Sequence, residues 1–465
     1  MNRREFIGGA AAIGCLLLLP ASCGLAWAGD VDVRDFGAVG DGTVKNTAAI
    51  QRAIDTCAKA GGGEVRFENG RYLTGMVFLR DNVTIRLGPT ATLLGSPDDA
   101  DYPTNAPCRH LVAGGTARGR TTALIVADEC RNVGIVGTGT IDCNGMAFVE
   151  RSRSKEYGYT GAGDVGRPLG DDEWVNWKYR RIRGKLSPPR MVLFAGCRDV
   201  RVLDVTMTNP AAGWGYWVTD CDRVVFDRVK ILADPELPNN DGIHINASRD
   251  VSVSNCRIVA GDDALVVRCN NRPFRDGVRR VCARVTVSNC QLTSYANCIR
   301  IGWLNDGAIR DCVFSNLTMT DSACGIGIDL PKFEKGMDDY GVEPSRYENL
   351  VFSAIVMDGI YSSPVRIEVT DDAFTRMDAI RALVFSDLRC TAYKFPNLRT
   401  PEGRRLEDIV FSGCSFTKVP DGTFPGNWRQ KGAAYWWNNC TETYADEPGV
   451  SYVNCVWNEK RRNDR

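Results

Sequence analysis

Apolar side chains recur along this chain with a period of two, in short runs bounded by polar turn residues. The pattern is sharpest from about residue 190 onward. Val205, Val229, Cys256, Cys290, Leu317, Ile355, Leu388 and Cys414 occupy equivalent places. Two residues further on lie Met207, Ile231, Ile258, Leu292, Met319, Met357, Cys390 and Phe416. Recurrence at irregular intervals of roughly 25–40 residues marks one structural unit repeated, with loops of varying length between short strands. Each unit carries a second run: WGYWV (214–218), DGIHI (241–245), DALVV (263–267), NCIRI (297–301), CGIGI (324–328) and PVRI (364–367). Alternation sends Tyr216, Ile243, Leu265, Ile299, Ile326 and Val365 inward. It sends Trp217, His244, Val266, Arg300, Gly327 and Arg366 outward. No helical pattern interrupts the units, which disfavours leucine-rich and helical solenoids. The expected fold is all-β, a right-handed single-stranded parallel β-helix.

One amphipathic helix is predicted, from Ala48 to Ala60. Asn46 or Thr47 caps it, Ile50 and Ile54 share a face, and Gly61-Gly62-Gly63 ends it. A helix there covers the open end of a β stack and blocks edge-to-edge pairing. Segment 146–189 breaks the repeat; charged and carrying Trp174 and Trp177, it is expected to wall one side of a cleft. The predicted organisation is a signal over residues 1–28, a β-helix over 29–420 and a C-terminal cap or tail over 421–465, with Trp428 and Tyr435-Trp436-Trp437 in the last part.

The first residues read as a targeting segment. Asn2-Arg3-Arg4-Glu5-Phe6-Ile7 is a twin-arginine signature, followed by an apolar stretch to Leu19 and a cleavage pattern, Ala26-Trp27-Ala28. The stretch is too short, and too broken by Gly and Pro, for a transmembrane helix. Cys23 offers lipid attachment as an alternative, which Pro20 fits poorly. The mature chain is expected in the periplasm or outside the cell, off the membrane and monomeric. Basic and acidic residues balance at 57 each, so no field argues for nucleic acid or an anionic membrane. Nineteen cysteines in an exported chain suggest disulfides, yet Cys256, Cys290, Cys414, Cys197 and Cys221 recur at equivalent coil positions. They are therefore expected to be packing thiols. With no CxxC pair and only His110 and His244, no metal or cofactor is expected.

The chemistry concentrates in residues 239–268. Asp241 begins one outward-and-inward run, Asp263 begins the next, and Asp262 precedes it at the turn. Stacked strands lie about 4.8 Å apart, so these acids converge on one face. Crowded carboxylates cannot all ionise at their free pKa, and one is expected to stay protonated and act as an acid. Arg300 lies one coil beyond and Trp217 one coil before. Trp217, His244, Arg268, Asn297, Arg300 and Arg366 are candidate substrate-binding residues. For Trp217 packing is the alternative to sugar stacking, for His244 a structural role, for Arg268 a salt bridge within the fold, and for Arg300 and Arg366 solvation or pairing with Glu368 and Asp329.

At these residues the chain resembles the polygalacturonase family, family 28 of the glycoside hydrolases, over roughly residues 31–418. FGAVGDG, NTAAIQRAID with GGG after it, NVTI…ATLLGS and GTGTIDCNG resemble its N-terminal coils. NNDG (239–242) matches its N-T-D element and GDD (261–263) its paired aspartates. The resemblance implies an inverting hydrolase, with Asp262 as general acid and Asp241 and Asp263 as bases, the carboxyl groups ~6.5–9.5 Å apart. Two departures stand out. The family histidine aligns with Asn297, and the R-I-K element aligns with Gly327-Ile328-Asp329, so both of its cations are missing. Arg300 is expected to restore one cation toward an anionic group on the substrate. The expected substrate is a pectin-related or other acidic or modified polysaccharide. A β-helix lyase with Arg300 as base, and a non-catalytic glycan binder, remain as the competing classes.

Overall fold

A computed structural model describes residues 29–103, 122–151, 179–182, 190–210, 213–235, 239–271, 276–303, 306–329, 344–368, 377–400, 406–420 and 449–460, apart from a few single positions. Nearly every strand pairs in parallel with the strand one unit away. Ten strands form one sheet, ordered from Val77–Phe78 through Ile125–Asp128, Arg190–Ala195, Trp214–Thr219, Ile243–Asn246, Leu265–Arg268, Asn297–Ile301, Cys324–Asp329 and Val365–Glu368 to Asn397–Arg399. A 24-stranded sheet carries the rest of each coil, often as two short strands such as Asp222–Asp227 and Lys230–Leu232. This is the parallel β-helix.

The register follows the apolar columns. Met207 pairs with Ile231, Ile231 with Ile258, and Ile258 with Leu292. In the ten-stranded sheet Trp217 pairs with His244, His244 with Val266, Val266 with Arg300, Arg300 with Gly327, and Gly327 with Arg366. Strict alternation leaves no freedom here, because a one-residue slip would turn every apolar side chain outward. The corners are sharp because the residue before each column position takes a left-handed backbone: Asp204, Arg228, Asn255, Asn289, Asn316, Ala354 and Asp387 all have φ near +55°. Five of these are Asp or Asn, the residue types that tolerate that region best after glycine.

The interior is filled by ladders. Phe314, Phe352, Phe385, Phe411 and Tyr452 stack face to face with centroids 4.8, 4.9, 4.5 and 5.0 Å apart, the spacing of the coils themselves. Cys197, Cys221, Cys256, Cys290 and Cys414 are free, buried thiols, as the repeat implied. Strands Val450–Val453 and Val456–Glu459 add one more coil in register, so the expected cap region continues the stack.

The helix spans Thr47–Lys59 and buries Ala49, Ile50, Ala53, Ile54 and Cys57. Asn46 precedes it without capping it. Its amide instead ties the preceding loop, accepting from the Val39 N–H at 2.7 Å and donating to the Val39 and Val44 carbonyls. The helix also closes the sheet edge chemically. Gln51 accepts from the Phe78 N–H at 2.8 Å and donates to the Phe78 carbonyl at 3.0 Å, satisfying the first strand of the ten-stranded sheet. Segment 146–189 leaves and rejoins the stack through an antiparallel pair, Val149–Arg151 with Tyr179–Arg181. The signal segment with Cys23, His110, Trp174, Trp177, Trp428 and residues 435–437 lie outside the described residues.

Candidate active site

The acids are placed by backbone hydrogen bonds that continue the ten-stranded sheet past its strand ends. The Gly215 N–H donates to the Asp241 carbonyl at 2.8 Å, the Gly242 N–H to the Asp263 carbonyl at 2.9 Å, and the Ala264 N–H to the Asn297 carbonyl at 2.9 Å. Asp241, Asp263 and Asn297 thus occupy successive rungs. The turn that presents Asp262 is locked to the loop before Asp241 by Asn240, which is fully buried. Its oxygen accepts from the Gly261 N–H at 2.6 Å, and its nitrogen donates to the Asp234 carbonyl at 2.8 Å. Gly261 has to be glycine, because a Cβ there would lie 2.5 Å from both the Asn240 Oδ1 and the Pro235 carbonyl.

The three aspartates converge as expected. Each offers a carboxylate oxygen within 4.8 Å of the others. Asp241 and Asp263 are buried, whereas Asp262 is partly open. Burial, then the neighbouring Asp263, raises the Asp241 pKa well above the carboxylate range. Burial, then Asp241 and Asp263, does the same for Asp262. Asp263 serves only as an acceptor. Its Oδ1 takes the Asn297 backbone N–H at 3.0 Å and side-chain amide at 2.6 Å, and its Oδ2 takes Arg300 Nη1 at 2.9 Å. Asn239 reaches Asp262 at 3.1 Å from a left-handed backbone (φ 56°).

His244 Nε2 lies 2.7 Å from the Asp241 Oδ2, and burial depresses the His244 pKa far below its usual value. Burial thus disfavours the charged form of each partner. The imidazole stacks on Trp214 with centroids 3.9 Å apart. Trp214 in turn meets Trp217 edge to face, and the Arg190 guanidinium lies 3.8 Å over the Trp217 ring. Trp217 is thus part of a packed wall, and Trp214, not singled out from the sequence, backs the imidazole that meets Asp241.

Arg300 does not hold its guanidinium free for substrate. Nη1 is bound to Asp263, and Nη2 donates to Asp329 Oδ2 at 2.8 Å. Burial acts to lower its pKa, but the Asp263 and Asp329 carboxylates outweigh this and raise it. Arg366 is buried and pairs with Asp329 Oδ1 at 2.9 Å. Arg268 pairs with Asp306 at 2.7 Å, a salt bridge within the fold. Asn297 is fully buried and serves Asp263. The sequence offered Asp329 and Glu368 as partners of Arg300 and Arg366, and these pairs are present; it missed the Arg300 bond to Asp263 and Arg190 as the cation over Trp217. Strand register was the signal available for the latter, since Arg190 lies opposite Trp214.

Comparison with known proteins fits this geometry. Residues 109–272 match the family described as Glycosyl hydrolases family 28, and residues 31–90 match that described as Rhamnogalacturonase A/epimerase, pectate lyase-like. A probable polygalacturonase of Vitis vinifera is 26% identical over 300 residues, 63% of this chain and 55% of that protein. An exo-poly-alpha-D-galacturonosidase of Dickeya chrysanthemi is 28% identical over 260 residues, 50% of this chain and 41% of that protein. The chain thus spans about half the length of these curated relatives. The crystal structure of a hyperthermoactive exopolygalacturonase from Thermotoga maritima superposes with a TM-score of 0.65 at 20% identity, over 84% of this chain and 87% of that one. The expected recognition is borne out as a resemblance: the stretch that matches Glycosyl hydrolases family 28 includes the coils that carry Asp241, Asp262 and Asp263.

Proposed function

We propose that this chain is an exported glycoside hydrolase that cleaves a pectin-related polysaccharide. One observation carries the reading: three aspartates share a site in which burial and the neighbouring carboxylates push the Asp262 pKa up, beside an Asp263 whose oxygens accept from Asn297 and Arg300. A glycosidic oxygen needs a proton as its bond breaks, and the partly open Asp262 is placed to supply it. A water on the far face of the sugar gives its proton to Asp263. Asp241, 2.7 Å from the His244 Nε2, orients that water. Both oxygens of Asp263 are already engaged by donors, which holds them back from attack on carbon. We therefore favour a single displacement with inversion. The lyase reading loses its base, because Arg300 is clamped between two carboxylates. Export rests on the Arg3-Arg4 signature.

The test is release of new reducing ends from defined pectic, sulfated and neutral polysaccharides, with the Asp262→Asn protein as control. Release that vanishes in Asp262→Asn supports the reading. An ultraviolet-absorbing unsaturated product, or release unaffected by the substitution, overturns it.

A further inference from the structure

Beside the aspartates, on the coils that follow, lies an alternating chain of charges. Asp263 Oδ2 binds Arg300 Nη1 at 2.9 Å, Arg300 Nη2 binds Asp329 Oδ2 at 2.8 Å, Arg366 Nη2 binds Asp329 Oδ1 at 2.9 Å, and Arg366 Nη1 lies 3.5 Å from Glu368. The chain runs from Asp263, just before the strand Leu265–Arg268, across the three strands that follow, Asn297–Ile301, Cys324–Asp329 and Val365–Glu368. It is built on Gly327. A Cβ at that position would stand 2.4 Å from Asn297 Oδ1 and 3.1 Å from Arg366 Nη2. The missing side chain therefore lets Arg366 reach back from the next coil into the space this coil leaves open.

The arrangement decides what charge the surface accepts. Three carboxyl groups face two guanidiniums, and each guanidinium bridges two acids. The side chains of Arg300 and Asp329 are 12% exposed, and that of Arg366 is 3% exposed. An arriving carboxylate would have to displace Asp329 from both arginines and leave it buried without a cation, which is the costly way to break such a pair. Other cations of this face are engaged as well, Arg268 with Asp306 and Arg190 over Trp214 and Trp217. An uncharged sugar, by contrast, can share hydrogen bonds with guanidinium and carboxylate edges without breaking any pair. We propose that the sugar unit lying against Arg300, Asp329 and Arg366 is uncharged, either a neutral sugar or a uronate carried as its ester. The inference rests on the hydrolase reading above and narrows its substrate.

The test uses the Asp262→Asn protein, in which binding is measured without turnover. Its probes are an oligogalacturonate and the same oligomer fully methyl-esterified, compared by titration calorimetry. The esterified oligomer is expected to bind at least tenfold more tightly. Adding Asp329→Asn, which keeps the shape and removes the charge, is expected to improve binding of the acidic oligomer at least tenfold as the two arginines are released. Equal or tighter binding of the acidic oligomer while Asp329 is intact overturns the inference. If the wild-type protein also releases reducing ends from polygalacturonate, the hydrolase reading stands without it. Binding of neither oligomer, with no reducing ends released from any polysaccharide, overturns both.

Discussion

Arg300 is a structural cation whose removal should destabilise the fold. Its two terminal nitrogens make charge-assisted bonds to Asp263 and Asp329, and its guanidinium carbon lies 4.4 Å over the Trp303 ring. Removing one partner of a buried ion pair leaves an uncompensated charge and costs ~3–5 kcal/mol. Asp329 keeps Arg366, so only Asp263 loses its cation altogether, and the lower end applies. Arg300→Met, which retains most of the stem, is therefore expected to lose about 3 kcal/mol. The assay is equilibrium urea unfolding followed by fluorescence and circular dichroism, with coincident transitions as the condition for reading a free energy. A double-mutant cycle with Asp329→Asn should return a coupling of ~1–3 kcal/mol, because the two groups are in direct contact. A loss within about 0.5 kcal/mol, the range of ordinary surface substitutions, would refute the argument.

Asp262→Asn should lower turnover by ~10²–10⁴-fold, the usual contribution of a general acid, as read from initial rates. Its stability effect has a definite sign. The folded-state pKa of Asp262 is raised, so its contribution is fully present below the unfolded value of about 3.9 and is lost as pH rises. Asp262→Asn should thus gain thermal stability over wild type at neutral pH, and the gain should shrink toward pH 4. A gain that grows on acidification would contradict the assignment. Phe352→Ala removes a ring stacked between Phe314 and Phe385 and should cost ~3–5 kcal/mol in urea unfolding. Replacing Arg3 and Arg4 by Lys should leave unprocessed precursor in the cytoplasm by immunoblot, whereas normal processing would count against twin-arginine export.

The coil architecture was legible because alternation and register are the same constraint. Once Ile243, Leu265 and Ile299 are taken as one column, Asp241, Asp263 and Asn297 must share the rung at the strand start. What stayed hidden depends on side-chain reach. Arg300 sits in an outward row within reach of Asp329, but nothing in the pattern says that its guanidinium also turns back to Asp263. Asp329 read as an acid displacing an expected cation, yet it is the hub on which Arg300 and Arg366 meet. Asn46 likewise carries a capping sequence signature while its side chain ties a loop.

The central claim is that the aspartate cluster hydrolyses a glycosidic bond by a single displacement. The most direct test is proton NMR of the earliest product formed by wild-type protein on an accepted oligosaccharide. The account predicts that the new reducing end appears first as the anomer opposite to the cleaved bond, and only later mutarotates. First appearance of the retained anomer, or of an unsaturated end, would contradict it.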